Sequence, residues 1–209
     1  DPWFLIGSSS CWNGIALGAI DIAKRHTTRK RHVDVGMRVA DYPTIQDYVG
    51  EAVMDTNANR LFVYSVAQAM DQATDDNTKT IPVGETARAD YLHWAWQIKF
   101  ESAKNVAHVV DKMLHACGGS GYKRDMELER YVRDAKAGWV MGPTNEVLRQ
   151  FVGKAVLLGF ESLDYWNQTY NRRVVENELK KLDSSAKREL AQQLLDQADQ
   201  DAASEPASA

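Results

Sequence analysis

Two long segments whose apolar residues recur with helical spacing constrain the fold more than any other feature of the sequence. They cover residues 44–70 and 86–117. In both, apolar residues recur at three- and four-residue steps, which is the period of an amphipathic helix. The polar segment between them contains Pro82 and Gly84 and indicates a connecting loop, so we expect the two helices to pack antiparallel. Trp94 lies on the second apolar stripe, where we expect a core residue.

Shorter helical patterns accompany the long pair, over residues 8–25, 124–136 and from 144 to about 158. The serines at 8–10 are candidate N-caps for the first of these helices, and Thr144 is a candidate N-cap for the last. Pro43 fits the start of a helix. No strand pattern of useful length is present. The sequence therefore predicts an all-α fold, an antiparallel bundle of four or five helices over residues 1–163.

Residues 164–209 differ from the preceding part in composition. Apolar residues recur there at helical spacing among many charges, namely Val175, Leu179, Leu182, Ala186, Leu190 and Leu194. This pattern predicts a charged, amphipathic helical extension that needs a partner surface. The segment 197–209 lacks large apolar residues, and its composition predicts a disordered tail.

The composition excludes several classes of function. The net charge is −4, which gives no general attraction to nucleic acid or to an anionic membrane. No segment approaches the ~20 apolar residues of a membrane span. Cys11 and Cys117 are the only cysteines, which favours a reduced, cytoplasmic setting. A basic run at residues 24–31 is either a solvated helix end or a contact for a cofactor phosphate, and both interpretations stay open.

Common metal and nucleotide motifs are missing from the sequence. The five histidines include no His-x-x-x-His pair, so we expect no zinc site and no other metal ion. There is no Gly-x-x-x-x-Gly-Lys-Ser/Thr phosphate loop and no Gly-x-Gly-x-x-Gly turn. The serines at 8–10 lack the Gly-x-Ser-x-Gly context of a nucleophile.

A glycine-rich turn ends the second long helix, and two further motifs follow it in order. The turn reads His115…Gly118-Gly119-Ser120-Gly121, and the later motifs read Arg133-Asp134-Ala135-Lys136 and Pro143-Thr144. Glycines permit unusual backbone conformations and remove side chains, so that a ligand can approach the main chain. Turn chemistry alone explains such a turn in isolation. The order and spacing of the three motifs are what carry information.

In this order the motifs resemble the C-terminal helical domain of the acyl-CoA dehydrogenase flavoprotein family, over roughly residues 8–160. In that family the glycine-rich turn meets the flavin of a neighbouring subunit, and a Gly-Thr turn lies beside the flavin. The resemblance implies an FAD cofactor, an acyl-CoA substrate, an electron-transfer partner, and a homo- or hetero-oligomer that shares the flavin site. Because family members usually have two domains ahead of this region, we expect the chain to be part of a larger polypeptide.

The resemblance also implies which residues form the site. Those expected near flavin are Gly118, Gly119, Gly121, Thr144 and Glu146. Arg31 or His32 is expected near the flavin phosphates, since Gly36 aligns this segment with the family's Arg-x-x-Phe-Gly motif. His115 replaces a family glutamine and could hydrogen-bond a ribose or a phosphate.

The carboxylate that acts as the family's base is missing. In most members it is a Glu one residue before the Gly-Thr turn, and that position here is Gly142. In a minority it lies on the first helix of the domain, where the matching position falls near Leu5. Glycine has no side chain, and the side chain of leucine cannot accept a proton, so neither residue can be the base.

Three hypotheses are compatible with this difference. We favour a C-terminal part or subunit of an FAD-dependent acyl-CoA dehydrogenase, which carries out α,β-dehydrogenation of an acyl-CoA thioester with a base from elsewhere. A flavin-dependent monooxygenase on the same fold needs no such Glu. A non-catalytic helical oligomerisation module needs no flavin.

Overall fold

The computed structural model describes residues 2–74, 88–159 and 165–204. Within these ranges the chain is helical, with one isolated bridge between Arg31 and Arg38 and no strand, which confirms the predicted all-α fold. The α-helices are α1 (Pro2–Arg29), α2 (Pro43–Thr74), α3 (Arg88–Cys117), α4 (Leu128–Val140), α5 (Asn145–Leu158), α6 (Tyr165–Lys181) and α7 (Ser184–Ser204). Short 3₁₀ helices occupy Val39–Asp41, Gly118–Tyr122 and Arg124–Met126.

The chain divides into two compact units, Asp1–Leu157 and Leu158–Ala209. The first unit contains the bundle. The division falls a few residues before the boundary at residue 163 that the sequence predicts, and residues 160–164 lie outside the described part of the chain.

The central helix of the first unit is α3, which packs against α1, α2 and α4. Its inward side chains are almost fully buried, namely Ala95, Ile98, Val106, Val109, Val110 and Met113. Lys112 of α3 pairs with Glu51 of α2 at 3.1 Å, while Trp94 packs edge-on against Phe62, with ring centroids 6.1 Å apart. Because the numbering of α2 and α3 runs in opposite directions across these contacts, the two long helices are antiparallel, as predicted.

Buried polar side chains cross the core between α1, α2 and α3. Asn59 Nδ2 donates to Asn13 Oδ1 at 2.9 Å and to Ser102 Oγ at 3.0 Å. All three residues are buried. Because a buried polar group without a partner is costly, this hydrogen-bonded set favours one lateral register of the three helices.

A glycine allows α4 to approach α1 and α3 closely. A Cβ added at Gly138 would lie 2.8 Å from Ala103 Cβ and 3.2 Å from Trp12 Cε2. Tyr131, earlier in α4, lies against Gly18 of α1. The later residue of α4 therefore faces the earlier residue of α1, so these helices are also antiparallel.

The prediction that serines 8–10 cap a helix is wrong, because all three lie inside α1. Each hydroxyl instead donates to a backbone carbonyl three or four residues earlier, at Leu5 or Ile6. Short polar side chains can be accommodated in a helix in this way. The apolar residues at the start of the chain therefore belong to the same helix, and Leu5 is buried.

The prediction that Trp94 is a core residue is also wrong. Trp94 is 49% exposed, whereas Trp96 is 8% exposed. The Trp96 ring packs against Phe151 of α5, with centroids 5.2 Å apart. Because α5 covers the face of α3 that carries Trp96, that tryptophan is the buried one.

The second unit contains α6 and α7, and charged side chains of α6 pair within that helix. Arg172 pairs with Glu176, and Asp183 caps α7 by accepting the N–H groups of Ser185 and Ala186. Helix α7 continues to Ser204, so the predicted disordered tail from residue 197 is wrong up to that point; alanine-rich sequence sustains a helix without an apolar face. Residues 205–209 lie outside the described part of the chain.

Among the described helices, none combines the length and the hydrophobicity needed to cross a bilayer.

Candidate functional site

A short hairpin between α1 and α2 carries Arg31 and His32. The chain reverses at Gly36, whose φ is +68°, and His32 N–H donates to Met37 O at 2.9 Å. His32 Nδ1 lies 3.0 Å from the Tyr42 hydroxyl, and Arg31 Nη1 donates to Gly36 O at 3.5 Å. Both side chains are exposed, so they are accessible to a ligand.

The glycine-rich turn after α3 is a 3₁₀ helix, Gly118–Tyr122, in which the three predicted glycines have different environments. Gly118 has a φ of +55°. A Cβ added at Gly118 or at Gly119 would meet no atom within 4 Å, so the main chain there is open to a ligand. Gly121 is buried, and a Cβ there would lie 2.7 Å from Leu114 Cδ1. The absence of a side chain at Gly121 therefore serves internal packing.

His115 lies between the glycine-rich turn and the start of α2. Its exposed ring is 6.5 Å from the ring of Tyr48 between centroids, and its Nδ1 is 3.9 Å from Asp111. Tyr48 belongs to the second turn of α2, directly after the hairpin. The hairpin, His115 and the glycine-rich turn therefore share one end of the bundle. We call residues 30–42, His115 and residues 118–122 the glycine end.

The remaining predicted residues lie where α4 ends and α5 begins, over residues 138–146, which we call the α4–α5 turn. A Cβ at Gly142 would meet no atom within 4 Å. Thr144 O accepts the N–H of Leu148 at 2.9 Å, so Thr144 occupies the predicted N-cap position. Asn145 is fully buried, while Glu146 is exposed.

Lys99 is buried beneath the α4–α5 turn, and no sequence motif marks it. Its exposed fraction is 1%. Its Nζ donates to Gly138 O at 2.7 Å, Met141 O at 3.3 Å and Asn145 Oδ1 at 2.9 Å. The signal that could have found it is its position next to Ile98 on the apolar stripe of α3, where a lysine is unusual.

The environment of Lys99 changes its acidity. Burial lowers the pKa of Lys99 to about 8, and the negative charge of Glu146 acts in the opposite direction. The Nζ atom also lies 5.7 Å from the ring centroid of Trp12 on α1. The ammonium is thus surrounded by oxygen acceptors and one aromatic ring, with Glu146 as the charged group that acts on it.

The glycine end and the α4–α5 turn are far apart within one chain. Lys99 contacts the α4–α5 turn, whereas Cys117 immediately precedes the glycine-rich turn. These two residues are five helical turns apart on α3, which is about 27 Å along its axis. The structure therefore separates the predicted site residues into two groups.

Three further side chains could coordinate a metal ion. Glu51, Asp55 and His108 place possible ligand atoms within 4.8 Å of one another. Lys112 Nζ already lies 3.1 Å from Glu51 Oε2, and this contact lowers the pKa of Glu51. Because a lysine supplies the positive charge at this position, the expectation of no bound metal stays a prediction.

The two cysteines and Arg133 are explained by local contacts. Cys11 is exposed, and Cys117 is a buried thiol whose pKa is raised to about 11 by burial, so it is a poor nucleophile. Arg133 pairs with Glu129 of its own helix, rather than with a neighbouring helix.

The family model for the acyl-CoA dehydrogenase C-terminal domain matches residues 7–157. This chain belongs to the acyl-CoA dehydrogenase family. The part of the chain that matches is the domain's helical bundle, including both the glycine end and the α4–α5 turn. The resemblance drawn from the three motifs is therefore confirmed at the level of the family.

Individual relatives support the same assignment. The chain is 31% identical over 144 residues to cyclohex-1-ene-1-carbonyl-CoA dehydrogenase of Geobacter metallireducens, covering 69% of this chain and 34% of that protein. It is 27% identical over 152 residues to 3-sulfinopropanoyl-CoA desulfinase of Paraburkholderia xenovorans, covering 73% and 34%. The fold is similar to that of glutaryl-coenzyme A dehydrogenase in its glutaryl-CoA complex, with a TM-score of 0.62 and 17% identity over 75% of this chain and 35% of that one. The chain spans about a third of the length of these relatives.

Proposed function

We propose that this chain is the C-terminal domain of an FAD-dependent enzyme that dehydrogenates an acyl-CoA thioester between its α and β carbons. The observation that supports this most is the open main chain at Gly118 and Gly119, at the position where the family meets a flavin. The relative with 31% identity is named as a dehydrogenase of a CoA thioester, cyclohex-1-ene-1-carbonyl-CoA. We also propose an electron-transfer partner, which such an oxidation requires, and a cytoplasmic location, which the two unpaired thiols favour.

The residues at the glycine end fit a flavin dinucleotide. The exposed Arg31 guanidinium and the His32 ring offer hydrogen-bond donors of the kind that bind phosphate. His115 is exposed beside the open turn and could donate to a ribose or a phosphate. FAD bound there would supply the hydride acceptor, while these residues bind and orient it.

Only part of the glycine-rich turn takes this role. Gly118 and Gly119 leave the main chain accessible, whereas Gly121 acts through the packing of Leu114. We therefore propose Gly118 and Gly119 as contacts and Gly121 as a residue that shapes the turn.

The separation of the two groups of residues supports a flavin site shared between copies. The glycine end and the α4–α5 turn are about 27 Å apart along α3. We propose that the glycine end of one copy faces the flavin of its neighbour, while Thr144 and Glu146 lie beside the flavin of their own chain. A closed, symmetric oligomer would then contain complete sites.

Gly142 occupies the position at which most of the family carries its base, and glycine has no side chain that could remove the α-proton. Glu146 is four residues away, exposed, and electrostatically linked to Lys99. We therefore assign the base to another part of the whole protein or to a partner, while residues 138–146 shape the wall of the site.

Gly142 also supports a second candidate, an acyl-CoA reaction without a carboxylate base at this position. One relative is named 3-sulfinopropanoyl-CoA desulfinase. The sulfur of a 3-sulfinoacyl-CoA is on the β-carbon, and hydrolytic cleavage of that carbon–sulfur bond releases sulfite, with water supplying the hydrogen that replaces sulfur and the third sulfite oxygen. This reaction removes no hydrogen from the α-carbon overall, so it needs no carboxylate base at Gly142. The flavin-dependent monooxygenase and the non-catalytic module complete the set to be tested.

The deciding experiment is an absorbance spectrum of the full-length protein, purified with any partner, before and after adding acyl-CoA. Flavin bands that bleach with a saturated acyl-CoA support the dehydrogenase. Sulfite release from a 3-sulfinoacyl-CoA without net bleaching supports the second candidate, and oxygen consumption that requires a supplied reductase supports the monooxygenase. A colourless protein that takes up no flavin would leave the non-catalytic module.

A further inference from the structure

The contacts of Lys99 join three points of the chain that are separate in sequence. Its ammonium has three N–H donors, and three acceptors lie within reach: Gly138 O, Met141 O and Asn145 Oδ1. Gly138 O belongs to the last turn of α4, Met141 O to the residue directly after α4, and Asn145 Oδ1 to the first residue of α5. One side chain of α3 thus contacts both sides of the α4–α5 turn.

The end of α4 supplies groups that offset part of the cost of burying this cation. Carbonyls in the last turn of a helix lack intrahelical donors, and the C-terminal end of the helix dipole is negative. Gly138 O and Met141 O lie in this region, so Lys99 satisfies groups that would otherwise need water. Within the described part of the chain, Lys99 is the only side chain that hydrogen-bonds to residues 138–145.

The contact with Asn145 extends the effect of Lys99 to the predicted site. Asn145 is fully buried, and the donation from Nζ to Oδ1 selects the orientation of its amide. Thr144 and Glu146 flank Asn145 on either side. A Cβ at Gly142 would touch nothing, so the turn receives little support from its own middle residue.

We infer that Lys99 is a positioning residue that clamps the end of α4 to the start of α5 and thereby sets the place of Thr144 and Glu146. The clamp itself depends only on the contacts above. Its consequence for flavin or substrate rests on the proposed function. A lysine that merely filled the core would make no directional contacts, and a methionine of similar length would replace it without effect on the turn.

The groups that face Lys99 determine how the clamp responds to pH. From α1 the neighbour is the Trp12 ring, from α4 the two carbonyls, and from α5 the Asn145 amide and the Glu146 carboxylate. Burial lowers the pKa of Lys99 to about 8 in the closed turn. Below about pH 8 the ammonium has three N–H donors for its three acceptors, whereas the neutral amine above that pH has two, so the set of contacts is complete at pH 7.

Hydrogen exchange in the full-length protein tests the clamp without requiring flavin. At pH 7, where Lys99 is charged, protection of peptides covering residues 138–148 should be about tenfold lower in Lys99→Met than in the wild type, because Gly138 O, Met141 O and Asn145 Oδ1 lose their donor. The matched control is Lys104→Met, which removes an exposed lysine from the same helix and should keep the wild-type protection.

Two results would overturn the clamp: a Lys99→Met protein in which residues 138–148 stay as protected as in the wild type, or an equal loss of protection in Lys104→Met. If Lys99→Met does not fold, Asn145→Ala, which removes one of the three acceptors, takes its place in the same comparison. Flavin affinity of Lys99→Met is measured in parallel. A loss of protection with unchanged flavin and substrate binding would leave the clamp standing and remove its link to the proposed function.

Discussion

The glycine end and the α4–α5 turn are both marked by family motifs, but different physical means hold them in place. At the glycine end the contacts are local and exposed, such as His32 with Tyr42, and the main chain at Gly118 and Gly119 is open. The α4–α5 turn is held from beneath by a buried lysine on another helix. The first region is thus suited to contact with another molecule, while the second depends on the core of its own bundle.

The largest expected effect concerns Lys99 and pH. The pKa of Lys99 is about 8 in the folded chain and about 10.5 when unfolded. Below pH 8 both states hold the proton, and between these values the unfolded state binds more, so stability rises with pH. The unfolding free energy of the wild type should gain up to about 3 kcal/mol over Lys99→Met across this range. Denaturant titrations at several pH values check this, and parallel curves for the two proteins would contradict it.

The next effect compares two glycines, one from each region. Gly138→Ala would bring a Cβ to 2.8 Å from Ala103 Cβ, which forces α4 away from α3. We expect a net loss of about 1–2 kcal/mol, since the strain of overpacking exceeds the gain in helix propensity. Gly119→Ala, at the open glycine end, should change stability by less than about 0.5 kcal/mol. Equal effects of the two substitutions in thermal unfolding would remove the contrast between the regions.

A smaller effect is expected from Glu146. Its negative charge raises the pKa of Lys99 against the effect of burial. Glu146→Gln should therefore lower the pH at which stability begins to rise, without abolishing the rise. Replacing Glu129, a half-buried acid that pairs with Arg133, is the control and should leave that pH unchanged. The same titration series measures both variants. If the pH at which stability begins to rise were higher in Glu146→Gln than in the wild type, the charge of Glu146 would not raise the pKa of Lys99.

The smallest effect is expected at the hairpin. Tyr42→Phe removes the hydroxyl 3.0 Å from His32 Nδ1, in an exposed setting where water can replace it. We expect a stability change within about 0.5 kcal/mol. Flavin affinity of the full-length protein should change more than stability, because the His32 ring loses its partner. A stability loss comparable with that of Gly138→Ala would show that the hairpin is part of the core.

Much of the fold could be predicted from the sequence, because the apolar stripes of α2 and α3 repeat over many turns. The start of α1 is not predictable from serines 8–10, because such residues favour helix N-caps, whereas here their hydroxyls donate to carbonyls inside the helix. Trp94 and Trp96 could not be ranked by periodicity alone, since the position of α5 decides which is covered.

The candidate site was predictable only in part. The motifs identified Gly118, Gly119 and Thr144, but no motif marks Lys99. Its role depends on carbonyls about forty residues away in sequence, and contacts of that kind follow from packing rather than from local pattern. Conversely, Gly121 and Gly119 are both glycines of the same motif, and only the structure shows that Gly121 packs against Leu114.

We propose that the two regions serve different flavin sites, and complementation in mixed dimers tests this proposal. Gly119→Trp and Gly142→Trp each fill a position where a Cβ meets no atom of the chain, so both variants should fold. In the full-length protein each should abolish bleaching of flavin by acyl-CoA. Dimers containing one copy of each, isolated with two tags, should recover bleaching at about half of their sites, because one site then receives both intact regions. Mixed dimers that show no bleaching would contradict this proposal, because both regions of one chain would then serve the same flavin site.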